Sequence, residues 1–188
     1  MRKTVIVWMA VLMLAGAFQA LAADDDYDEG TAPDYAFSLG VGLVDPDAAV
    51  EPYYSAAFRI RLGDHDRQAN QYDRGIQAFL EPEVGYWESD LQTDTLVGVN
   101  LLGLVPFRNV DYYFGVGAGV HFQDIDTVHV KGNVTSASDQ HFGMNAQFGL
   151  DIHVTEKTSL FGTGRFDLVE GSDNQVQDKL IVGLRFLF

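Results

Sequence analysis

The stretch that decides the fold is residues 141–154, which read HFGMNAQFGLDIHV. Every second residue, from Phe142 to Val154, is apolar, and the residues between them are polar or glycine. A helix would need apolar residues three and four positions apart, whereas a strand sends alternate residues to opposite faces. The segment is also much longer than the ~5–6 residues of a typical strand in a soluble protein. It therefore predicts a long β-strand with one apolar face.

The same alternation occurs in seven further segments, where apolar residues occupy alternate positions and glycine or charged residues lie between them. Consecutive strands joined by short links pair antiparallel, so an even number of them can close into an up-and-down barrel. The sequence therefore predicts an all-β, eight-stranded antiparallel barrel. The eight predicted strands cover residues 35–43, 54–62, 76–86, 95–105, 112–122, 141–154, 160–168 and 180–188.

Two kinds of barrel fit this pattern: a soluble barrel with its apolar face inside, and a membrane barrel with that face toward lipid and a polar lumen. The predicted strands are long enough for the ~9–11 residues that cross a bilayer at a tilt. The opposite face carries charges of both signs, which could pair inside a narrow eight-stranded barrel. We expect glycines on strands 1 and 5 to make room for the arginines. The predicted lumenal ion-pair network consists of Arg59, Arg61, Glu81, Glu83, Arg165 and Arg185.

Aromatic residues are concentrated near both ends of the predicted strands. With the N-terminus in the periplasm, they form two groups, at the levels where rings meet lipid headgroups. A soluble core does not explain this clustering at two levels, so we predict the membrane barrel. The inner group is Tyr35, Phe37, Phe107, Tyr112, Phe114, Phe186 and Phe188. The outer group is Tyr53, Tyr54, Tyr86, Trp87, Phe122 and Phe142.

The N-terminal segment has the features of a secretory signal peptide. Arg2 and Lys3 precede an apolar run that ends near Phe18, and an Ala-Leu-Ala sequence follows at residues 20–22. The apolar run is too short for the ~20 residues of a membrane-spanning helix. We predict a signal peptide at 1–22, an acidic N-terminal leader at 23–34 and the barrel domain at 35–188.

The composition limits the chemistry and the partners of the exported chain. Without Arg2 and Lys3, the chain carries 10 basic and 27 acidic residues, a net charge of −17. Such a surface repels nucleic acid. The chain has no cysteine, so it uses neither disulfide bonds nor thiol chemistry.

The chain ends in DKLIVGLRFLF, residues 178–188, with alternating apolar residues and a terminal phenylalanine. This ending resembles the C-terminal β-signal of Gram-negative outer-membrane proteins, and the whole predicted barrel resembles the OmpA/OmpX-type eight-stranded outer-membrane β-barrel family. The resemblance implies a cell outer membrane location, contact with outer-membrane lipid and lipopolysaccharide, and recognition of the last strand by the outer-membrane assembly machinery. The residues that match the signal are Leu180, Val182, Leu184, Phe186 and Phe188.

The resemblance specifies the compartment more closely than the activity. We expect a structural or surface-interaction role with a lumen plugged by ion pairs; a lipid A-modifying enzyme and a narrow low-conductance pore are the alternatives. Lipid A deacylases of this family use a serine–histidine pair. The closest match here is His121, with Gln123 in place of the serine, so we expect no catalytic residue.

The histidines raise the possibility of a metal site in the lumen. His121, His141, His153 and Asp151 could share it, but their spacing is simply the strand period. We therefore expect neither a metal nor another cofactor. Residues 124–139, which include His129, are predicted to be the longest outer link. The long link at 63–75 falls on the periplasmic side without an explanation, and the oligomeric state stays open.

Overall fold

A computed structural model of the chain describes residues 34–45, 50–62, 76–90, 92–107, 109–128, 134–170 and 175–188, with the side chains of 126–128, 134–137 and 175 excepted. The predicted signal peptide, residues 23–33 of the leader, and the 63–75 link lie outside the described residues. Within the described part of the chain, no helix is long and apolar enough to cross a membrane.

The described residues form eight strands that pair antiparallel in chain order. The last strand pairs with the first, from Ala36↔Leu187 to Asp45↔Asp178, and this pairing closes the barrel. The predicted eight-stranded antiparallel barrel is thus confirmed. The strands are β1 Tyr35–Asp45, β2 Glu51–Leu62, β3 Gln77–Glu88, β4 Gln92–Phe107, β5 Val110–Val128, β6 Val134–Thr155, β7 Thr158–Val169 and β8 Gln175–Leu187.

The barrel is apolar outside and charged inside. Large apolar side chains such as Val116 and Phe148 are more than half exposed on the outer wall, while Arg165 and Asp167 are almost completely buried in the lumen. A water-soluble barrel would show the reverse distribution, because burial of apolar surface drives its folding. The predicted apolar exterior and polar lumen are confirmed.

The lumen also holds aromatic side chains that were predicted to face lipid. Tyr53 and Trp87 are 1% and 2% exposed and pack inside the barrel. Successive residues of a strand point to opposite faces, so the neighbouring Tyr54 and Tyr86 face outward and are exposed. The prediction that Tyr53 and Trp87 belong to the outer aromatic group is therefore wrong.

The longest strands, β5 and β6, form a hairpin that extends beyond the rest of the barrel. Their pairing continues to Val128↔Val134, past the last partners of β4 and β7. The predicted outer link at 124–139 is therefore mostly strand, because ladder hydrogen bonds join backbones and need no alternation of side chains. We call this end of the barrel the hairpin end, and the opposite end, where Tyr35 and Phe188 lie, the terminal end.

The glycines of β1 and β5 make room for side chains other than the arginines. A Cβ added at Gly40 would lie 2.7 Å from Ile181 and 3.0 Å from Phe161. At Gly117 it would meet the amide groups of Asn100 and Asn145. The prediction that these glycines accommodate arginines is wrong, because their nearest inward neighbours are residues of other types.

Candidate functional site in the barrel lumen

The terminal-end cluster comprises Arg59, Glu81, Asp151 and Arg185, from β2, β3, β6 and β8. The Arg59 Nε donates a hydrogen bond to Glu81 Oε2 at 2.9 Å, and its Nη1 donates to Asp151 Oδ2 at 3.0 Å. Arg185 Nη1 donates to Asp151, and its Nη2 lies 3.6 Å from Glu81 Oε2. Each arginine therefore contacts both carboxylates, and the four charges form a ring across the lumen.

Aromatic rings fix the two arginines of this cluster. The Tyr113 ring lies 4.8 Å from Arg59 Cζ and 5.4 Å from Arg185 Cζ, distances at which a cation is attracted to the ring face. Phe161 covers Arg185 at 4.8 Å. Gly149 lies opposite Tyr113 in the β5–β6 ladder, and an added Cβ there would approach the Tyr113 Cζ at 2.5 Å. The absent side chain at Gly149 thus leaves room for the ring that positions both arginines.

The hairpin-end cluster comprises Glu83, Arg165, Asp167 and Lys179. Arg165 donates to Asp167 from Nε at 2.9 Å and from Nη2 at 2.7 Å, and Lys179 Nζ lies 2.9 Å from Asp167 Oδ2. These three residues belong to the neighbouring strands β7 and β8. The pair that crosses the lumen is Arg165 Nη1 with Glu83 Oε1 on β3. Arg165 is therefore the hub of this cluster.

A third group, the Asp94 network, lies further toward the hairpin end. His121 Nδ1 is 3.0 Å from Asp94 Oδ2, and the side-chain amides of Gln123 and Gln177 donate to the same oxygen at 3.1 and 3.2 Å. His121 is buried and faces the lumen, as its position in the strand predicted. This histidine cannot reach lipid in this position.

A serine, a histidine and an aspartate form a chain of hydrogen bonds at the terminal end. Ser159 Oγ lies 2.8 Å from His153 Nδ1, and His153 Nε2 lies 2.9 Å from Asp111 Oδ2. The residue order is that of a hydrolytic triad, but the two ring nitrogens are exchanged, since in the triad Nε2 faces the serine and Nδ1 faces the aspartate. Sequence reasoning missed this chain of hydrogen bonds because three different strands supply it. Ser159 is 0% exposed, and the cavity beside His153 measures about 10 Å³, the size of one water. A substrate carbonyl cannot reach the Ser159 hydroxyl in this conformation.

The structure divides the six predicted network residues among three places. Arg59, Glu81 and Arg185 belong to the terminal-end cluster, and Glu83 and Arg165 belong to the hairpin-end cluster. Arg61 lies apart: its side chain is 15% exposed, and its Nη1 is 3.9 Å from Asp34 Oδ1. The predicted network left out three residues that complete the two clusters, although each lies on the polar face of its strand. These residues are Asp151, Asp167 and Lys179.

The residues considered for metal binding are separated along the lumen. His121 and His141 are ladder partners near the hairpin end, whereas Asp151 and His153 lie near the terminal end. His129 lies outside the described residues. Among those that the structure describes, no group of three or more histidine, aspartate or glutamate residues could hold a metal ion.

The C-terminal strand has its apolar residues on the outer wall. Leu180, Leu184 and Phe188 are exposed, and Val182 and Phe186 are partly exposed. β8 pairs with β7 along one edge and with β1 along the other. The predicted signal residues therefore form part of the lipid-facing seam of the barrel.

A closed antiparallel barrel with an apolar wall and a charged lumen defines the class of outer-membrane-type β-barrels. Solved structures of that class share the fold. Neisserial surface protein A matches with a TM-score of 0.57 at 12% identity, covering 82% of this chain and 96% of its own. Ail of Yersinia pestis matches with a TM-score of 0.55 at 11% identity, and the match covers 84% of this chain and 100% of the Ail chain. The N-terminal barrel domain of Pseudomonas aeruginosa OprF matches with a TM-score of 0.54 at 15% identity, and the match covers 83% of this chain and 100% of the OprF chain.

At these identities the likeness shows the fold and nothing more. The outer membrane enzyme PagL shares the fold to the same degree, with a TM-score of 0.53 at 12% identity. No family model matches the chain, and no curated protein matches its sequence.

Proposed function

We propose that this protein is a closed, non-conducting barrel of the Gram-negative outer membrane with a structural or surface-interaction role. The observation that carries the proposal is the succession of two ion-pair clusters along one narrow lumen. Beside the terminal-end cluster, Phe79, Leu102, Leu104 and Tyr113 pack together as a buried apolar group. An ion entering this lumen would lose hydration and meet charges that are already paired, which is costly in a low-dielectric interior.

The proposed orientation has the terminal end in the periplasm and the hairpin end at the cell surface. Exposed aromatics lie toward both ends and mark the two interfaces. Short links join β4 to β5 and β6 to β7 at the terminal end, and β5 and β6 extend furthest at the hairpin end, which supports this orientation because outer-membrane barrels have short periplasmic turns. In this orientation the β8 residues that resemble the C-terminal β-signal would be read by the assembly machinery from the periplasm.

The hairpin end is the proposed surface for partners. Its rim is acidic, and none of the basic side chains that the structure describes is exposed there. Carboxylates repel the phosphates of lipopolysaccharide, so the proposed contact with lipopolysaccharide would run through cations. The exposed rim acids are Asp45, Glu88, Asp90, Asp124, Asp139, Glu170 and Asp178.

Planar-bilayer recordings with the folded barrel test the closed lumen. The expected result is a membrane that carries no discrete current steps, measured beside an open porin in the same lipid as a positive control. Folding is verified in parallel by the different electrophoretic mobility of unheated and heated samples. Ohmic steps from the folded protein would overturn the proposal in favour of the narrow pore.

An enzymatic role is tested separately. We propose no lipid A-modifying activity, because Ser159 is buried and His121 is bound to Asp94 inside the lumen. Mass spectrometry of lipid A from cells with and without the gene should show the same acylation. Loss of an acyl chain only in cells that carry the gene would contradict this.

A further inference from the structure

A groove interrupts the lipid-facing wall of the barrel over β6, β7 and β8. It encloses about 450 Å³ and is lined by apolar side chains and glycines. Gly162 of β7 lies at its centre, and a Cβ added there would have no atom within 4 Å. Phe148 and Leu150 border the groove on the β6 side, and Leu180 and Val182 border it on the β8 side.

One row of ladder partners places this groove relative to the bilayer. The row runs through Tyr112, Leu150, Gly162, Val182, Val41 and Tyr54. Because the strands of a barrel are tilted, such a row climbs the wall. It begins at an aromatic of the terminal end and finishes at one of the hairpin end, with Gly162 third from the terminal end. The groove therefore begins beside the terminal-end aromatic Tyr112 and reaches the middle of the wall at Leu180.

We propose that this groove binds one acyl chain of a phospholipid from the periplasmic leaflet, where the choice of leaflet rests on the proposed orientation. The groove is continuous with the apolar wall, so hydrocarbon is the medium at its mouth. Its lining offers almost no hydrogen-bonding groups, and water would not remain there. Tyr112 lies at the end nearer the headgroups, where tyrosine combines an apolar ring with a polar hydroxyl.

A second copy of the barrel fits the groove less well than a flexible chain does. A specific protein interface buries about 800 Å² on each partner, and two convex barrel walls would touch at the rim of the groove without reaching Gly162. The Phe148 rim is also fixed: its ring packs on Gly164 and stacks with Phe166 at 6.3 Å between centroids. An acyl chain can enter such a slot without displacing this pair.

Photo-crosslinking tests the proposal with the full barrel in vesicles of phosphatidylethanolamine and phosphatidylglycerol. A trace phospholipid carries a diazirine on one acyl chain, and the labelled peptides are identified by mass spectrometry. Residues 160–164 and 180–183 should be labelled several-fold more than the lipid-facing residues of β4. Gly162→Leu should lower labelling of the groove to the β4 level.

Ala146→Leu is the matched control, since it adds the same side chain to the exposed face of β6 outside the groove. It should leave labelling of the groove unchanged. If Gly162→Leu does not fold, Gly162→Ala replaces it, because its Cβ enters open space; this variant should lower groove labelling in part. Equal labelling around the barrel, or labelling of 160–164 below the β4 level because a second copy covers the groove, would overturn the proposal.

Moving the diazirine along the acyl chain tests which leaflet supplies the bound acyl chain. A group near the carboxyl end should label the Tyr112 side of the groove, and a group near the methyl end should label the Leu180 side. The opposite order would mean that the chain enters from the outer leaflet, and it would overturn the assignment to a periplasmic phospholipid.

Discussion

The two ion-pair clusters hold the same charges in different networks. Each contains two cations and two carboxylates, all buried. In the terminal-end cluster, Arg59 and Arg185 each contact both carboxylates, so either arginine can bridge them alone. In the hairpin-end cluster, Arg165 contacts both carboxylates, whereas Lys179 contacts Asp167. The first network is redundant and the second depends on one hub.

This difference shows why counting buried ion pairs is a poor guide to stability. A buried pair need not stabilise a fold relative to apolar residues, yet removing one partner is costly when the other is left as an uncompensated charge. The cost of a substitution therefore depends on whether another cation still reaches the remaining carboxylates. Each of the following changes tests that dependence.

Arg165→Met should have the largest effect. It leaves Glu83 without a cation among the residues that the structure describes, and it should lower the free energy of unfolding by about 3–5 kcal/mol. Urea unfolding in phospholipid vesicles measures the loss. Lys179→Met is the matched control and should cost less, because Arg165 still binds Asp167. Equal losses for the two variants would refute the hub.

Arg185→Met should cost less than Arg165→Met, about 1.5–3 kcal/mol, the range of a hydrogen bond to a charged group. Arg59 still contacts both Glu81 and Asp151 in this variant. The same unfolding measurement checks the value. A loss that matches or exceeds that of Arg165→Met would show that the terminal-end cluster is not redundant.

Glycine substitutions test the tyrosines beneath the two clusters. The Cβ of Gly149→Ala would collide with the Gly162 carbonyl and with Tyr113, whose ring contacts Arg59 and Arg185. The Cβ of Gly85→Ala would collide with Tyr53, whose ring centroid lies 4.7 Å from Lys179 Nζ. Both should destabilise by about 1 kcal/mol or more, as overpacking does, with Gly149→Ala the more severe. Gly162→Ala should stay within about 0.5 kcal/mol of the wild type because its site is open. The reverse ranking in thermal or urea unfolding would contradict these contacts.

Arg61→Gln should have the smallest effect among the charge substitutions. Arg61 was predicted to belong to the buried network, but its Nη1 lies 3.9 Å from a carboxylate, that of Asp34, whose side chain is 56% exposed. Exposed pairs contribute at most about 1 kcal/mol, and the change in unfolding free energy should stay within that limit. A loss as large as that of Arg185→Met would place Arg61 in the network after all.

The period-two alternation predicted the strands and their two faces because alternation is a local property of an extended chain. It could not predict partners, which depend on register and tilt: Arg59 pairs with Glu81, while Glu83, two residues further on the same face, pairs with Arg165. The hydrogen bonds that link Ser159, His153 and Asp111 could not be predicted either, since the three residues lie on three different strands.

Alternation of apolar and polar residues also cannot predict a strand where both of its faces are polar. Residues 134–140 continue β6 beyond its last partner on β7, and their mostly polar sequence did not indicate that the ladder with β5 continues. The prediction that Tyr53 and Tyr54 both belong to the outer aromatic group was wrong for a related reason. Adjacent aromatics suggested a single belt, although neighbouring residues of a strand face opposite sides.

The central claim is that opposite charges meet across the lumen and close it. A double-mutant cycle on Arg59→Met and Asp151→Asn tests it most directly, because these residues lie on β2 and β6 and share no strand pairing. A coupling of about 1.5 kcal/mol or more in the free energy of unfolding is expected, as close charge pairs give. Additive effects within about 0.5 kcal/mol would show that the two side chains do not meet.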